Sequence, residues 1–305
     1  MISLINYLSG RLNILNKSLI EKDVLLHRLL LHVMKTDLKN QFAFKGGTCI
    51  TKCYLGYYRF SEDLDFTYIN QKEFKGKSQK AIRRILSTKI NTTLLIFEKI
   101  AKDLNLDFKK DKGNKKYFEF GGSNKFTTFK LWYTSEILKE KQFIKIQINF
   151  VEIIEDKIID NSAKSLYQKI NKKEMQLLHP SYIDIIKEIP LKTYTLNEIL
   201  YEKIRAILTR REIKARDFID VYLINKKLKL NFLKEEKKII KKITFMLKYD
   251  KYLQNLSVIK PKEIVLDDVE KLLLKPVDKG FEKFMISFCA YLEDLKGKLQ
   301  KVVEL

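Results

Sequence analysis

Two aspartates stand two residues apart in the short segment Asp63-Leu64-Asp65-Phe66. The alternation predicts a β-strand, in which residues i and i+2 project from the same face. Two carboxylates held side by side repel each other, and a hard divalent cation such as Mg2+ relieves that repulsion while binding substrate phosphates. Asp63 and Asp65 are therefore candidate metal ligands. A pair of exposed acidic residues at the start of a strand has the same pattern.

A glycine pair, Gly46-Gly47, precedes these aspartates and is followed by Thr48. The aromatic segment 42–44 predicts a strand that enters a tight turn and then a helix. Glycines let a backbone approach a phosphate closely, and a helix N-terminus offers N–H groups to an anion. Thr48 can cap that helix or bind a phosphate oxygen. By itself the segment is equally a capped turn, but beside Asp63 and Asp65 it indicates a polyphosphate site.

Several elements are needed to position these residues. Hydrophobic spacing over residues 1–38 predicts one or two helices, with Glu21-Lys22-Asp23 as an acidic first turn. The other predicted elements of this half are a strand at 63–69, a helix at 79–104, and three antiparallel strands at 117–120, 126–133 and 143–154.

The rest of the chain is predicted to be helical, because no glycine occurs between Gly122 and Gly280. We therefore expect an α+β protein with a first domain at 1–160 and a helical domain at 161–305. The lysine-rich run 226–242 predicts an amphipathic helix whose basic face is either solvated or in contact with a nucleic-acid backbone.

Composition narrows the class of partner. The chain of 305 residues has 60 Lys and Arg against 38 Asp and Glu, a net charge of +22. Such a charge favours a polyanionic partner, although lysine-rich solvated helices give the same balance. Three cysteines without zinc or disulfide spacing favour a reducing compartment. No segment reaches membrane-span length, so we expect a soluble cytoplasmic protein.

The motifs together resemble a known family. Residues 44–48 and 59–66 closely resemble the AbiEii/AbiGii-type nucleotidyltransferase toxins, a branch of the DNA polymerase β-like superfamily. The segment Glu21-Lys22-Asp23 is similar to the family's opening helix. Residues 202–210 are similar to its lysine-containing helix, and residues 215–220 to its Arg-Asp-x-x-Asp element. The resemblance covers about residues 20–225.

The resemblance implies a polymerase β-like core with a mixed, mostly antiparallel sheet and a helical domain that completes the cleft. It implies a toxin of an abortive-infection, phage-defence system that moves a nucleotide from an NTP to an RNA 3′ end, in known cases tRNA. A cognate antitoxin counters such a toxin. Two alternatives remain open: transfer to a protein hydroxyl, and a non-catalytic nucleic-acid-binding protein that has kept the fold.

The resemblance also assigns roles to individual residues. It implies that Asp63 and Asp65 hold Mg2+ and that Lys203 and Asp217 are catalytic, with Lys203 neutralising the departing pyrophosphate. The residues implied to bind the nucleotide are Lys45, Gly46, Gly47, Thr48, Ser61 and Arg210.

The spacing of the downstream residues offers an independent geometric argument. Lys203, Arg210 and Asp217 are seven residues apart, so on one continuous helix they drift by only about 20° per step and share a face. Alternatively, Lys203 is a snorkelling lysine, Arg210 lies on an exposed charged helix, or Asp217 and Asp220 pair with nearby cations.

One feature departs from the superfamily pattern. Polymerase β-like enzymes commonly carry a third carboxylate on a later strand, but the candidate strand at 144–150 has the amides Gln147 and Asn149 instead. Glu152 is a possible substitute. We therefore expect one firmly held metal ion, with a second arriving on the nucleotide phosphates or absent.

Overall fold

The computed structural model describes residues 1–121, 125–261 and 269–303. For residues 302 and 303 it describes the backbone alone. The chain forms two compact units. The first consists of Met1–Glu152 and Ile158–Thr193, and the second of Ile153–Lys157 and Tyr194–Leu305.

A seven-stranded sheet organises the first unit, in the order β3-β4-β5-β2-β1-β7-β6. The strands are β1 (Phe42–Lys45), β2 (Asp63–Tyr68), β3 (Phe118–Gly121), β4 (Phe126–Thr134), β5 (Lys141–Asn149), β6 (Ile158–Ala163) and β7 (Ile189–Tyr194). The pairs β1–β2, β3–β4 and β4–β5 are antiparallel, whereas β2–β5 and β1–β7 are parallel. The predicted mixed, mostly antiparallel sheet is confirmed.

The last two strands were not expected from the sequence. Residues 158–193 pack with the first unit because β7 lies beside β1, with Phe44 opposite Thr193. Ile189, Leu191 and Thr193 are buried at alternate positions, the period of a strand. The helical half that was expected from residue 161 therefore begins after β7.

The first unit also contains six α-helices among its described residues: α1 (Ile2–Leu12), α2 (Lys17–Met34), α3 (Leu38–Gln41), α4 (Gly46–Cys49), α5 (Gln79–Asp103) and α6 (Lys172–Leu178). A π-helical segment, Ile50–Leu55, continues α4 directly. The long helix predicted at 79–104 is confirmed as α5.

The start of α2 differs from the prediction. The helix begins at Lys17, where the side chain of Asn16 caps it, so Glu21 and Asp23 are not in its first turn. Both acids are buried, and Asp23 accepts a hydrogen bond from Lys52 at 2.9 Å. These carboxylates face cations and donors inside the unit rather than the helix dipole.

The two faces of the sheet differ in character. On one face, the alternate residues of β2 and β5, Leu64, Ile144 and Ile146, are fully buried. This face packs against α5, where the rings of Phe97 and Phe129 meet at 4.8 Å. The other face carries Asp63, Asp65, Lys145 and Gln147, all half-buried. These four polar residues of β2 and β5 therefore lie on one partly accessible face of the sheet.

The second unit is helical, as predicted. Its helices are α7 (Leu196–Thr209), α8 (Ala215–Leu228), α9 (Phe232–Leu247), α10 (Asp250–Val258) and α11 (Gly280–Val303). The single helix predicted over 226–242 is wrong, because Lys229 is left-handed (φ 51°) and ends α8, and Asn231 then caps α9. Among the described residues, no helix is long and apolar enough to cross a membrane.

Candidate active site

A sharp turn after β1 brings the glycine pair against β2. Gly46 has a left-handed backbone (φ 74°), and a Cβ placed on it would lie 2.2 Å from Oδ2 of Asp65. A Cβ on Gly47 would lie 2.5 Å from a guanidinium nitrogen of Arg59. Any other residue at position 46 would be strained by its φ and would displace the carboxylate. The glycine is therefore required for Asp65 to stand where it does.

Thr48 joins this turn to the acidic strand. Its hydroxyl lies 2.9 Å from the hydroxyl of Ser61 and donates to the backbone carbonyl of Asp63. The side chain is buried, and the N-cap position of α4 belongs to Lys45, which makes no side-chain cap. The prediction of Thr48 as a cap is wrong; its hydroxyl fixes the start of β2 instead.

The two aspartates lie side by side on the open face of β2. Asp63 is opposite Lys145 in the parallel pairing with β5, and Asp65 is opposite Gln147. The Lys145 ammonium lies 2.9 Å from Oδ2 of Asp63, and the Asp63 side chain remains 25% exposed. The predicted convergence of the glycine turn and the carboxylate pair is present in the structure.

The neighbouring strand places a cation beside Asp63. Lys145 occupies the register position next to Asp63, and an amide, Gln147, the next one. Lys145 was not predicted to lie at the site, although the alternation of β5 already places it on the same face as Gln147. Beside Asp63 and Asp65 this strand therefore offers an amide and an ammonium group, and the ammonium group is bound to Asp63.

Glu152, the possible substitute acid, is bound elsewhere. It is 6% exposed, accepts a hydrogen bond from Asn149 at 2.7 Å, and lies 3.8 Å from the ammonium of Lys45. Lys45 is itself opposite Asp65 in the pairing of β1 with β2. Within residues 1–121, 125–261 and 269–303, no three His, Cys, Asp or Glu side chains form a group that could hold a metal ion.

The donor set of β2 is compatible with one Mg2+. Two carboxylates suffice for this ion when waters and substrate phosphates complete its octahedron. One oxygen of Asp63 is occupied by Lys145, which limits what the pair can offer to a second cation. Asp63 and Asp65 therefore fit a single ion better than a two-ion cage.

Arg59 is a second residue of the site for which no role was predicted from the sequence. Its side chain is 1% exposed, and Nη1 donates to the carbonyl of Phe60 at 2.8 Å. Because the guanidinium also lies against Gly47, it supports the turn from behind. Its place directly before Ser61 in the motif was the available signal.

The downstream residues form a cluster in the second unit. The ammonium of Lys203 lies 2.6 Å from Oδ1 of Asp217 and 2.7 Å from Oδ2 of Asp220, and Arg210 donates to Asp217. The prediction of one continuous helix is wrong, since α7 ends at Thr209 and α8 begins at Ala215. Two packed helices, rather than one stripe, bring the three predicted residues together.

Charge is balanced within this cluster. Lys203, Asp217 and Asp220 are buried, while the Arg210 side chain is 46% exposed. Burial alone would raise the pKa of Asp217, but the charges of Lys203 and Arg210 outweigh it and hold that pKa below its ordinary value. Asp217 is therefore a carboxylate at neutral pH, and Lys203 has two carboxylate partners.

Comparison with known proteins identifies the family. The family described as "Nucleotidyl transferase AbiEii toxin, Type IV TA system" matches residues 28–300. A search of curated proteins finds no significant match. Among solved structures, JHP933 from Helicobacter pylori is 16% identical, with 94% of this chain and 95% of that chain covered and a TM-score of 0.39.

A nucleotidyltransferase-like antigenic protein from Paracoccidioides brasiliensis is 17% identical, with coverage of 76% and 92% and a TM-score of 0.31. The family match extends over both units and includes the glycine turn, the acidic strand and the Lys203 cluster. The protein belongs to the AbiEii toxin family, the nucleotidyl transferases of type IV toxin–antitoxin systems.

Proposed function

We propose that this protein transfers a nucleotide from an NTP to the 3′ end of an RNA, with Mg2+ held by Asp63 and Asp65. The terminal ribose hydroxyl loses its proton and its oxygen bonds to the α-phosphorus of the NTP. The bond from that phosphorus to the β-phosphate oxygen breaks, and pyrophosphate leaves. Bound Mg2+ supplies charge neutralisation for the phosphates.

The observation that carries this proposal is the fit of Asp65 against Gly46. The carboxylate occupies space that any side chain at position 46 would fill. The turn and the strand are thus built around each other, which an incidental acidic pair at a strand start does not require. Ser61 and Thr48, joined by their hydroxyls, hold the same two segments together.

The remaining roles follow from the family. We assign Lys45, Gly46, Gly47, Thr48, Ser61 and Arg210 to the nucleotide, and Lys203 and Asp217 to catalysis. For Thr48 and Ser61 the contacts support a positioning role, since the Thr48 hydroxyl already contacts the Ser61 hydroxyl and bonds to the Asp63 carbonyl at the start of β2. The Arg210 side chain is partly exposed, so its guanidinium can also donate to a phosphate.

An RNA acceptor is supported by charge. A net charge of +22 favours the binding of a polyanion such as RNA. Because members of the toxin family are known to act on tRNA, we propose tRNA as the acceptor, in the cytoplasm. We propose phage defence as the setting, with a cognate antitoxin as the counterpart.

The test is a labelling assay. Purified protein is incubated with each α-labelled NTP, Mg2+ and total tRNA, and the products are separated by size. We expect label in RNA from the wild type, and a loss on the order of 10²–10³ for Asp65→Ala, the size of one preorganised electrostatic contact.

A matched control removes an aspartate from the same unit. The side chain of Asp160 is 87% exposed and pairs with Lys192 at 3.1 Å, so Asp160→Ala should label RNA as the wild type does. Label in a co-purified protein instead of RNA would identify a protein hydroxyl as the acceptor. Equal labelling by Asp65→Ala and the wild type would refute the proposed mechanism.

A further inference from the structure

The open face of the sheet continues beyond the aspartates onto β5 and β4. Lys145 lies opposite Asp63 on one side and opposite Lys130 on the other. One step further along, Phe143 lies opposite Trp132. These residues share the face of Asp63 because residues opposite each other in a ladder project to the same side.

The two rings on this face form a platform. Their centroids are 4.8 Å apart with an interplanar angle of 49°, and both side chains are half-exposed. The indole N–H of Trp132 donates to the carbonyl of Lys116 at 2.7 Å, which fixes the ring. Half-exposed aromatic rings held in this way are suited to stacking with a flat partner.

Cations border the platform. The ammonium of Lys130 lies 5.8 Å from the centre of the Phe143 ring, and that of Lys116 lies 5.9 Å from the Trp132 ring. Glu119 pairs with Lys130 and Asp107 with Lys116, which holds both side chains in place. An ammonium group has three donors, so each can still share one with a phosphate.

We propose that this aromatic–basic face, formed by Trp132, Phe143, Lys116, Lys130 and Lys145, binds the single-stranded 3′ end of the acceptor RNA. The terminal bases stack on Trp132 and Phe143, and the lysines contact the phosphates. From strand spacing and rise, the Cα atoms of Phe143 and Trp132 lie about 8 and 12 Å from that of Asp63. This rests on the proposed function and adds the location and strandedness of the acceptor.

The chemistry of the face favours single-stranded RNA. Aromatic rings bordered by cations bind single strands by stacking, because every unpaired base offers a π-face. A duplex covers its bases and offers mainly phosphates and 2′-hydroxyls, which the rings do not recognise. An acidic protein segment would engage the lysines but gain nothing from the rings.

The experiment uses the single tryptophan of the chain as the reporter. Full-length protein is titrated, in the absence of NTP, with a 5′-labelled single-stranded RNA oligonucleotide. We expect saturable quenching of Trp132 fluorescence that matches binding measured by anisotropy. The same sequence as a blunt duplex, and polyglutamate, should cause little quenching.

Variants then test the face against a matched control. Phe143→Ala and Lys130→Ala should each weaken binding about tenfold, within the range for one stacked base or a phosphate contact. Lys99→Ala, which removes an exposed lysine from α5 on the opposite side of the sheet, should bind as the parent does. Binding of a fluorescent NTP to each variant checks that the fold is intact.

The outcomes separate this inference from the proposed function. If wild type labels RNA but Trp132 fluorescence is unchanged by the oligonucleotide, the acceptor lies elsewhere and the proposed function stands. Equal quenching by duplex or polyglutamate would overturn the stacking role. Failure of wild type to label any RNA would overturn the proposed function, and with it the acceptor bound here.

Discussion

The acidic strand of the first unit and the Lys203 cluster of the second differ chiefly in solvent access. The Asp63 side chain is 25% exposed and has a lysine partner that is itself 30% exposed. Asp217 and Asp220 are almost fully buried and share the ammonium of Lys203. Water can replace the ion-pair partner of the exposed group at little cost in free energy, whereas breaking a buried ion pair costs about 3–5 kcal/mol.

The difference separates two kinds of contribution. A surface-accessible carboxylate pair adds little to stability and can take up a hydrated cation. A buried, charge-balanced cluster stabilises the fold only while all its members are present, because removal of one leaves an uncompensated charge. Substitutions in the acidic strand should therefore affect activity most, and substitutions in the cluster should also affect folding.

The largest expected effect is on stability at the cluster. Asp217→Ala leaves the buried Lys203 ammonium with one carboxylate fewer, which should lower the free energy of unfolding by about 3–5 kcal/mol. Asp63→Ala, at a partly exposed pair, should change it by less than about 1 kcal/mol. Urea denaturation of both variants measures the contrast.

A double variant provides the control for that prediction. Lys203→Met combined with Asp217→Ala removes one charge of each sign from the cluster, so the loss of unfolding free energy in the double variant should be smaller than the sum of the losses in the two single variants. If Asp217→Ala unfolds with a free energy no lower than that of Asp63→Ala, burial does not determine how much each carboxylate contributes to stability.

A buried histidine, His27, lies in the same unit as the acidic strand. It tests whether burial, rather than the unit in which a group lies, determines its effect on stability. His27 is buried, and its Nε2 lies 2.8 Å from the carbonyl of Lys187, to which it donates. Burial first, and then the charge of Lys52, lower the pKa of His27 from 6.5 to about 4, against a smaller opposing effect of Asp23.

The neutral form is thus favoured by folding. The stabilisation is complete above pH 6.5 and is lost as pH falls from 6.5 towards 4, by a total of about 3 kcal/mol. His27→Gln should remove this loss, whereas His32→Gln, at a less buried ring, should leave most of it. Unfolding free energies at pH 7, 5.5 and 4 measure both; a loss unchanged in His27→Gln would contradict the assignment.

The sequence predicted the acidic strand well and the buried groups poorly, for a physical reason. Alternation and a glycine pair are local signals, so β1, the turn and β2 could be recognised without knowledge of distant residues. Glu21 and Asp23 resembled a helix start because their buried partners lie far along the chain. The end of α7 carries no glycine or proline, so the break after Thr209 gave no local signal, whereas Asn231, the N-cap of α9, was an available signal for the break after Leu228.

A change in the glycine turn should lower activity beyond what its effect on stability explains. Gly46→Ala places a methyl group on the Asp65 carboxylate, and a displacement of about 1 Å at such a site lowers turnover about a hundredfold. Gly76 has a similar backbone (φ 71°) with no atom within 4 Å of a Cβ. Gly76→Ala should therefore show the same backbone strain, about 1–2 kcal/mol, without the loss of turnover. Equal activities of the two variants would separate Asp65 from catalysis.

The smallest effect is expected at Lys145, the cation that accompanies the acidic strand. Lys145→Gln removes a positive charge 2.9 Å from Asp63, so the carboxylate pair should bind Mn2+ about two- to fivefold more tightly, as expected for a half-exposed ion pair. Lys141→Gln removes an exposed lysine from the same strand and should leave Mn2+ affinity unchanged. Electron paramagnetic resonance of free Mn2+, without RNA or NTP, gives both affinities. Weaker Mn2+ binding in Lys145→Gln would show that Lys145 orients Asp63 for the ion instead of competing with it. The exposed aspartates of β2 would then depend on their lysine partner as strictly as the buried aspartates of the Lys203 cluster do.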